Sequence, residues 1–359
     1  MKKFIDIHVP VTSCNFKCKY CYVTQMGKNG TEKMEFKYDV DTFKRAFSRE
    51  RLGGDCLINI CGLGETLIPE KLIDYVRALL EEGHYVMIVT NGSLKNRFIE
   101  YSLLEEELRE RLFFKFSYHY LELKRLNLID TFFENVNIIK KANCSFTIEI
   151  TPYDELEKYY DELREVCYRN TGAYPHVTIP RAEDEQNIPL LSTHSIDDFA
   201  KIWEKDSDLF RFKKSIWGVK RKEFCHAGQW SGLVDLGTGF FTPCYCIRAQ
   251  KRNFFENLDK KFVFYPVGKK CKMPHCYNGH SFLTLGNIPE IDTYHFDEVR
   301  NRKCVDGTYW LNEKTQKFYN GRLNDGIKDK NTLFDKISFK YIKDKTILKN
   351  VIKKIFRKK

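Results

Sequence analysis

The chain has 359 residues, roughly 2.4 domains at ~150 residues each, and its 42% apolar content excludes a disordered chain. No run approaches the ~18 consecutive apolar residues of a membrane span, and the start, Met1-Lys2-Lys3-Phe4-Ile5-Asp6, lacks the apolar core and cleavage site of a secretory signal. Lysines and arginines (60) exceed acids (49) by 11, but seven of the positives fall in residues 345–359, which carry no acid; the remainder holds only +4, so a broad nucleic-acid face is not indicated.

Strand-like and helix-like segments alternate over the first two hundred residues. Phe4-Ile5-Asp6-Ile7-His8-Val9 reads as a strand, and residues 34–51 as a helix with Phe36, Val40, Phe43 and Phe47 on one side. Cys56-Leu57-Ile58-Asn59-Ile60 is a buried strand. Pro69 opens a helix whose apolar stripe is Leu72, Ile73, Val76, Leu79 and Leu80, and Gly83 ends it. Residues 85–89 form a third strand, residues 95–111 a charged helix, and residues 113–117 a fourth strand. Strands at 146–150 and 176–179 follow, separated by helices over 128–141 and 154–168. This alternation predicts parallel strands joined by right-handed crossovers, an α/β fold in which six units make a partial (β/α)6 TIM-like barrel. Chemistry in such barrels sits on the loops after the C-terminal strand ends.

Near residue 210 the pattern changes. Glycine, cysteine and aromatic residues become frequent between 225 and 286, and helical periodicity fades. The expected organisation is a barrel over 1–210, a small cysteine-rich extension over 211–310, and a C-terminal segment over 311–359. In that segment Ile347, Leu348, Val351, Ile352, Ile355 and Phe356 share one helix face, with lysines and arginines elsewhere on the wheel. The face could dock on the barrel and leave its lysines in water, or lie on an anionic membrane.

The thirteen cysteines are too sparse for a disulfide scaffold and odd in number. Cys14-Asn15-Phe16-Lys17-Cys18-Lys19-Tyr20-Cys21 is C-x3-C-x2-C directly after the first strand. Three thiolates within eight residues can hold three corners of a cubane iron–sulfur cluster, whereas electron-transfer clusters use four cysteines. A structural zinc would also need a fourth ligand; His8 precedes the loop, but a histidine in a strand is more often a packed polar residue. Cys56, Cys61, Cys144 and Cys167 lie in strand or helix patterns and read as small buried residues.

The C-x3-C-x2-C loop with an aromatic residue before its last cysteine resembles the radical S-adenosylmethionine (SAM) enzymes. Gly62-Leu63-Gly64-Glu65 after the second strand resembles that superfamily's glycine–glutamate motif, and Thr90-Asn91-Gly92 after the third resembles a triplet common in one branch. Ser117 and His119 end the fourth strand, where polar SAM contacts often lie. Taken alone, Gly-Leu-Gly-Glu and Thr-Asn-Gly are often plain turns, and Ser117, Glu149, Thr178 and Arg181 could be surface caps. The resemblance covers about residues 4–210. It implies a 4Fe–4S cluster on Cys14, Cys18 and Cys21 whose open iron chelates the amino and carboxylate groups of SAM. It further implies close backbone approach at Gly62 and Gly64, Glu65 pairing with the ammonium, Tyr20 beside the adenine, and Arg181 gripping the carboxylate. The implied reaction is reduction of SAM to methionine and a 5′-deoxyadenosyl radical that abstracts a substrate hydrogen.

Cys225, thirteen residues, Gly239, four residues and Cys244 resemble the extension called SPASM, or its shortened form, twitch. That resemblance implies one auxiliary 4Fe–4S cluster on Cys225, Cys244, Cys271 and Cys276, with Gly239 permitting the hairpin that brings the first two thiolates together. The dense cysteine run of the full SPASM pattern is absent. His275 and His280 allow a mixed-ligand site, and Cys246 and Cys304 are spare thiols or substitute ligands. The substrate expected is a small molecule such as a polyol or sugar, or a peptide. Because the first strand begins at Phe4, no preceding peptide-recognition domain is expected, which weakens the peptide option. An external one-electron donor such as flavodoxin or ferredoxin, a cytoplasmic location with a membrane-surface option, and no nucleic-acid partner complete the expectation. The rival reading is an iron–sulfur electron-transfer or binding protein without SAM chemistry; a nucleic-acid modifier ranks last.

Overall fold

A computed structural model describes residues 1–359 except 26, 28–29, 31–34, 184, 186, 245–249, 270, 277–278, 326–332 and 357–359. Cys246 and Met34 therefore lie outside the described residues. Among those described, nine strands make one open sheet: β1 (Lys3–Val9), β2 (Cys56–Gly62), β3 (Tyr85–Thr90), β4 (Leu112–Ser117), β5 (Ser145–Ile150), β6 (His176–Val177), β7 (Ser231–Asp235), β8 (Phe240–Thr242) and β9 (Arg252–Asn253). Their spatial order is β6-β5-β4-β3-β2-β1-β7-β8-β9. All neighbours from β6 to β7 are parallel; β8 and β9 are antiparallel. The expected incomplete six-unit barrel is thus present, and β1 carries the cysteine-rich extension on its other edge.

The two faces of the parallel strands divide by residue parity, because successive side chains point oppositely. Ile5, Ile7, Ile58, Ile60, Val86, Ile88, Phe114, Phe116, Phe146 and Ile148 join the large core under the helices. Phe4, Leu57, Met87 and Phe113 form a second apolar layer on the inner face. Phe282, Leu285, Phe296, Leu311, Tyr319 and Leu323, all from the C-terminal half, pack against that layer and plug the barrel. The inner positions nearer the C-terminal strand ends are polar or small: Asp6 and His8, Asn59 and Cys61, Lys115 and Ser117, Glu149.

Several helices differ from expectation. The segment read as one helix over 34–51 is Val40–Ala46 followed by Arg49–Leu52, broken where the Ser48 hydroxyl accepts from the Arg51 N–H and restarts the helix. The charged helix over 95–111 is Lys95–Ser102 and Glu106–Arg109; the break turns Leu104 into the core and leaves Leu103 exposed. Residues 154–159 are a 3-10 turn, and the α-helix proper is Tyr160–Thr171. The boundary expected near 210 falls inside the helix Asp208–Ser215, and β7 beyond it pairs with β1 in the same sheet. Gly239, at φ 75°, closes the β7–β8 hairpin, and its N–H donates to the Asp235 carbonyl at 2.7 Å. The C-terminal helix is Leu333–Phe356. Its Leu348, Val351, Ile352 and Ile355 are exposed rather than docked; Lys343 Nζ to the Val267 carbonyl and Asn350 Nδ2 to the Lys251 carbonyl, each 3.0 Å, tie it down. No helix among the described residues is long and apolar enough to cross a membrane.

Candidate active site

The C-terminal strand ends surround a cavity of about 590 Å³. Its lining includes Cys14, Cys18 and Cys21 together with Tyr20, Gly62, Gly64, Glu65, Thr90, Asn91, Ser117, His119 and Arg181. Residues proposed from five separate strand ends therefore face one space.

The loops are joined by backbone contact. A Cβ on Gly64 would lie 2.0 Å from the Ser13 carbonyl oxygen and 2.6 Å from the Ser13 carbonyl carbon, so only glycine lets the two backbones touch. A Cβ on Gly62 would lie 2.4 Å from Val11 Cγ1. Beside them, the Glu65 N–H donates to the Ser13 carbonyl at 3.0 Å. In this structure both glycines face the chain leading into the cysteine loop.

Glu65 is the centre of the junction. Its carboxylate accepts from the Thr90 hydroxyl at 2.6 Å, the Asn91 N–H at 2.7 Å and the Leu67 N–H at 3.1 Å. Burial raises its pKa, and these donors oppose the rise. Asn91 Nδ2 donates to Asn15 Oδ1, and Asn15 Nδ2 donates to Ser93 Oγ, each at 2.8 Å, so the cysteine loop is also bolted to the loop after β3. Tyr20 and the His119 Nδ1 share a hydrogen bond of 2.6 Å, and the Tyr20 ring stacks on Tyr153 with centroids 4.2 Å apart. Burial pushes His119 down to about 4, leaving a neutral ring at neutral pH. Arg181 is ion-paired with Glu183 at the rim.

The thiols of the loop are costly to ionise where they stand. Burial pushes Cys14 up to about 11 and Cys18 up to about 12, and the neighbouring thiols of the same loop push in the same direction. Thiolates here need a positive group between them, which is what a metal centre supplies. Among the described residues no three metal-ligating side chains converge on a single ion. The donor set suits a cubane, in which each thiolate takes its own iron, better than a mononuclear ion that needs four donors around one point.

Below these loops lies a charged layer that sequence reasoning did not assemble. Glu149 receives Lys115 on one oxygen at 2.7 Å and Arg300 on the other at 2.5 Å. Burial alone would raise Glu149, but the two cations outweigh it and hold the carboxyl well below its usual range. Asp6 accepts from Asn59 Nδ2 at 2.6 Å, and burial pushes it up to about 7. Lys213 comes in from the helix Asp208–Ser215 and donates to the Thr178 hydroxyl. Thr178 and Glu149 are thus interior residues rather than surface caps. The alternation in Phe4-Ile5-Asp6-Ile7 and Phe113-Phe114-Lys115-Phe116 was the available signal: apolar neighbours on the outer face put Asp6 and Lys115 on the inner one.

The four C-terminal cysteines lie away from this cavity, on segments that come together. Cys225 and Gly268 exchange backbone bonds of 3.3 and 2.9 Å, three residues before Cys271. A Cβ on Gly228 would lie 2.4 Å from Pro243, the residue before Cys244. Cys276 packs against the same apolar cluster as Cys244 and against another with Cys225. Cys304 is elsewhere, buried against Gly172, whose added Cβ would lie 3.1 Å from it. Cys56, Cys144 and Cys167 are buried packing residues, but Cys61 faces the cavity.

The fold and site together define a parallel-strand partial barrel with a three-cysteine loop facing a buried polar chamber. No protein-family model matches the chain, and no curated protein matches it in sequence. Among solved structures it is similar to Streptococcus suis SuiB bound to S-adenosylmethionine, at 16% identity over 72% of this chain and 65% of that one, with a TM-score of 0.49. It is also similar to native anSMEcpe with bound AdoMet, at 14% identity over 70% and 78% of the two chains and a TM-score of 0.47. BtrN in complex with AdoMet and 2-DOIA matches at 14% identity over 89% and 88%, with a TM-score of 0.29. The chain thus spans slightly under two thirds of the length of SuiB.

Proposed function

We propose that this chain is a radical SAM enzyme with one auxiliary iron–sulfur cluster. The observation that carries the reading is the junction of the three loops after β1, β2 and β3, with Gly64 against Ser13, Glu65 on Thr90 and Asn91, and Asn91 on Asn15. A 4Fe–4S cluster bound by the three cysteines supplies one electron to SAM, releasing methionine and a 5′-deoxyadenosyl radical that takes a substrate hydrogen. Cys14, Cys18 and Cys21 would hold three of its irons. Glu65 uses three acceptor positions on donors of its own loop and the loop after β3; a carboxylate offers about four, which leaves one for the SAM ammonium. Tyr20 and Tyr153 form a stacked aromatic edge suited to an adenine, and neutral His119 fixes the Tyr20 hydroxyl. Arg181 stands at the same rim for a carboxylate, in exchange for Glu183.

Cys225, Cys244, Cys271 and Cys276 are the ligands we assign to the auxiliary cluster, on the gathering of their backbone segments. The reaction is an oxidation or epimerisation of a polyol or sugar, or a modification of a peptide, with electrons from an external flavodoxin or ferredoxin in the cytoplasm.

The test is iron and sulfide content after anaerobic reconstitution, with 5′-deoxyadenosine measured under strong reductant. About eight irons falling to about four in the Cys14/Cys18/Cys21→Ala variant, with 5′-deoxyadenosine abolished, is the expected result. Iron without 5′-deoxyadenosine in the wild type would favour an electron-transfer protein. About four irons falling to none would remove the auxiliary cluster.

A further inference from the structure

The charged layer of the chamber is unbalanced. Glu149 is shared by two cations, Lys115 on one oxygen and Arg300 on the other, and a third basic group, Lys213, stands in the same layer. Asp6, the other acid of the layer, pairs with Asn59 rather than with Lys213. Lys213 is only 4% exposed, lines the cavity, and has the neutral Thr178 hydroxyl as its partner, with no carboxylate within ion-pair distance among the described residues. A buried ammonium without a counter-ion is strongly disfavoured, and burial indeed pushes Lys213 down to about 7. Two further cavity-lining atoms, Asn59 Oδ1 and His280 Nδ1, are buried without a hydrogen-bond partner. Both are placed to bond a polar ligand that enters the cavity beside Lys213.

We propose that Lys213 is the recognition point for an anionic group of the substrate, a carboxylate or a phosphate, bound within the barrel. The identification of this ligand as the substrate rests on the function proposed above; the anion site itself does not. The geometry separates the site from the cysteine-loop junction. Lys213 reaches the chamber from the helix Asp208–Ser215 and stands with Thr178, in the electrostatic reach of Glu149, Arg181, Lys115 and Arg300. Glu65, Asn91 and Asn15 belong to the loops after β1, β2 and β3. The SAM carboxylate is the other source of the same chemistry, and the experiment distinguishes the two.

The full chain, anaerobically reconstituted, is titrated calorimetrically with inorganic phosphate and with succinate, each with and without saturating SAM; SAM affinity is measured separately. The expected result is anion binding to the wild type with SAM present, weakened about tenfold or more in Lys213→Met and within about threefold of wild type in Lys213→Arg, while Lys213→Met changes SAM affinity less than about threefold. Should Lys213→Met fold poorly, Lys213→Gln, which keeps a donor for Thr178, serves the same comparison. The proposal is overturned if neither anion binds the wild type, or if the neutral variant binds both as well as the wild type does. It is overturned equally if that variant loses SAM affinity about tenfold and phosphate competes with SAM, which would give Lys213 to the SAM carboxylate. Failure of SAM to bind the wild type would count against the proposed function alone, because the titrations without SAM still decide the role of Lys213.

Discussion

Gly64→Ala is the most direct test of how the site is held together. An alanine Cβ would sit 2.0 Å from the Ser13 carbonyl oxygen, 2.6 Å from its carbon and 2.9 Å from the Thr12 carbonyl carbon. All three are backbone atoms, so no side chain can rotate away, and the two loops must part. Overpacking of this kind costs about 1–3 kcal/mol. Parting the loops also breaks the 3.0 Å bond from the Glu65 N–H to the Ser13 carbonyl, worth about 0.5–1.5 kcal/mol. The sum, about 1.5–4.5 kcal/mol, corresponds to a melting shift of about 2–6 °C for a chain this large. The displaced segment runs straight into Cys14, so reconstituted iron should fall together with melting temperature. Gly321→Ala is the control, because its Cβ would meet nothing closer than 3.4 Å, and it should stay within about 0.5 kcal/mol of wild type. Thermal melts followed by circular dichroism, with iron assay on the same samples, decide it. A Gly64→Ala protein with wild-type melting and wild-type iron would refute the loop contact and the argument built on it.

Glu65→Gln replaces an acceptor of three hydrogen bonds by an amide that turns a donor toward donors; it should cost about 1.5–3 kcal/mol in denaturant titrations and weaken SAM binding. Asp6 supplies a pH prediction. Its folded pKa of about 7 lies above the ordinary carboxyl value of 3.8, so the folded state holds a proton the unfolded state loses, and stability contributed by this group falls as pH rises from about 4 to about 7. Asp6→Asn keeps an acceptor for Asn59 and should remove that fall, gaining about 2–4 kcal/mol at pH 7 in urea titrations at several pH values; an unchanged pH slope would contradict it. Cys304→Ala should leave iron content intact while Cys276→Ala lowers it, because Cys304 stands against Gly172 and not with the other C-terminal cysteines. A chain ending at Lys343 should melt within about 2 °C of the full chain, because Leu348, Val351, Ile352 and Ile355, which it loses, are exposed; only the full chain should float with anionic liposomes, and equal flotation of both would end the membrane option.

The six strands β1 to β6 were legible because apolar runs such as Phe113–Phe116, bounded by turn residues, are visible without an alignment, whereas β7, β8 and β9, in the glycine- and cysteine-rich segment, were not. The cysteine loop and the two loops beside it were legible because their position after β1, β2 and β3 follows from strand order alone. The breaks in the helices over 34–51 and 95–111 were not, since periodicity continues across Ser48 and Leu104 and only the tertiary direction of the chain decides where it turns. The charged layer was hidden for a different reason. Lys115 and Glu149 are 34 residues apart in sequence, Lys213 and Arg300 arrive from beyond the barrel, and no local pattern links them. The tail was readable as a helix but not in its placement, because docking depends on a partner surface that a helical wheel does not describe.

The inner face of the barrel explains why the C-terminal half cannot be a detachable appendage. Its lowest layer, Phe4, Leu57, Met87 and Phe113, is apolar and would open to water if Phe282, Phe296, Leu311 and Tyr319 were not packed beneath it. The layer above is ionic, and one of its two cations on Glu149 is Arg300, from the same C-terminal half. Removing residues beyond the barrel would therefore expose the apolar layer and strip the buried Glu149 of half its compensation, a loss of the kind that costs several kcal/mol. The electrostatic character of the chamber, and with it the choice of ligand, is consequently set by the C-terminal segments as much as by the strands. The half of the chain that carries the second group of cysteines also places Arg300 on Glu149 and His280 in the chamber lining.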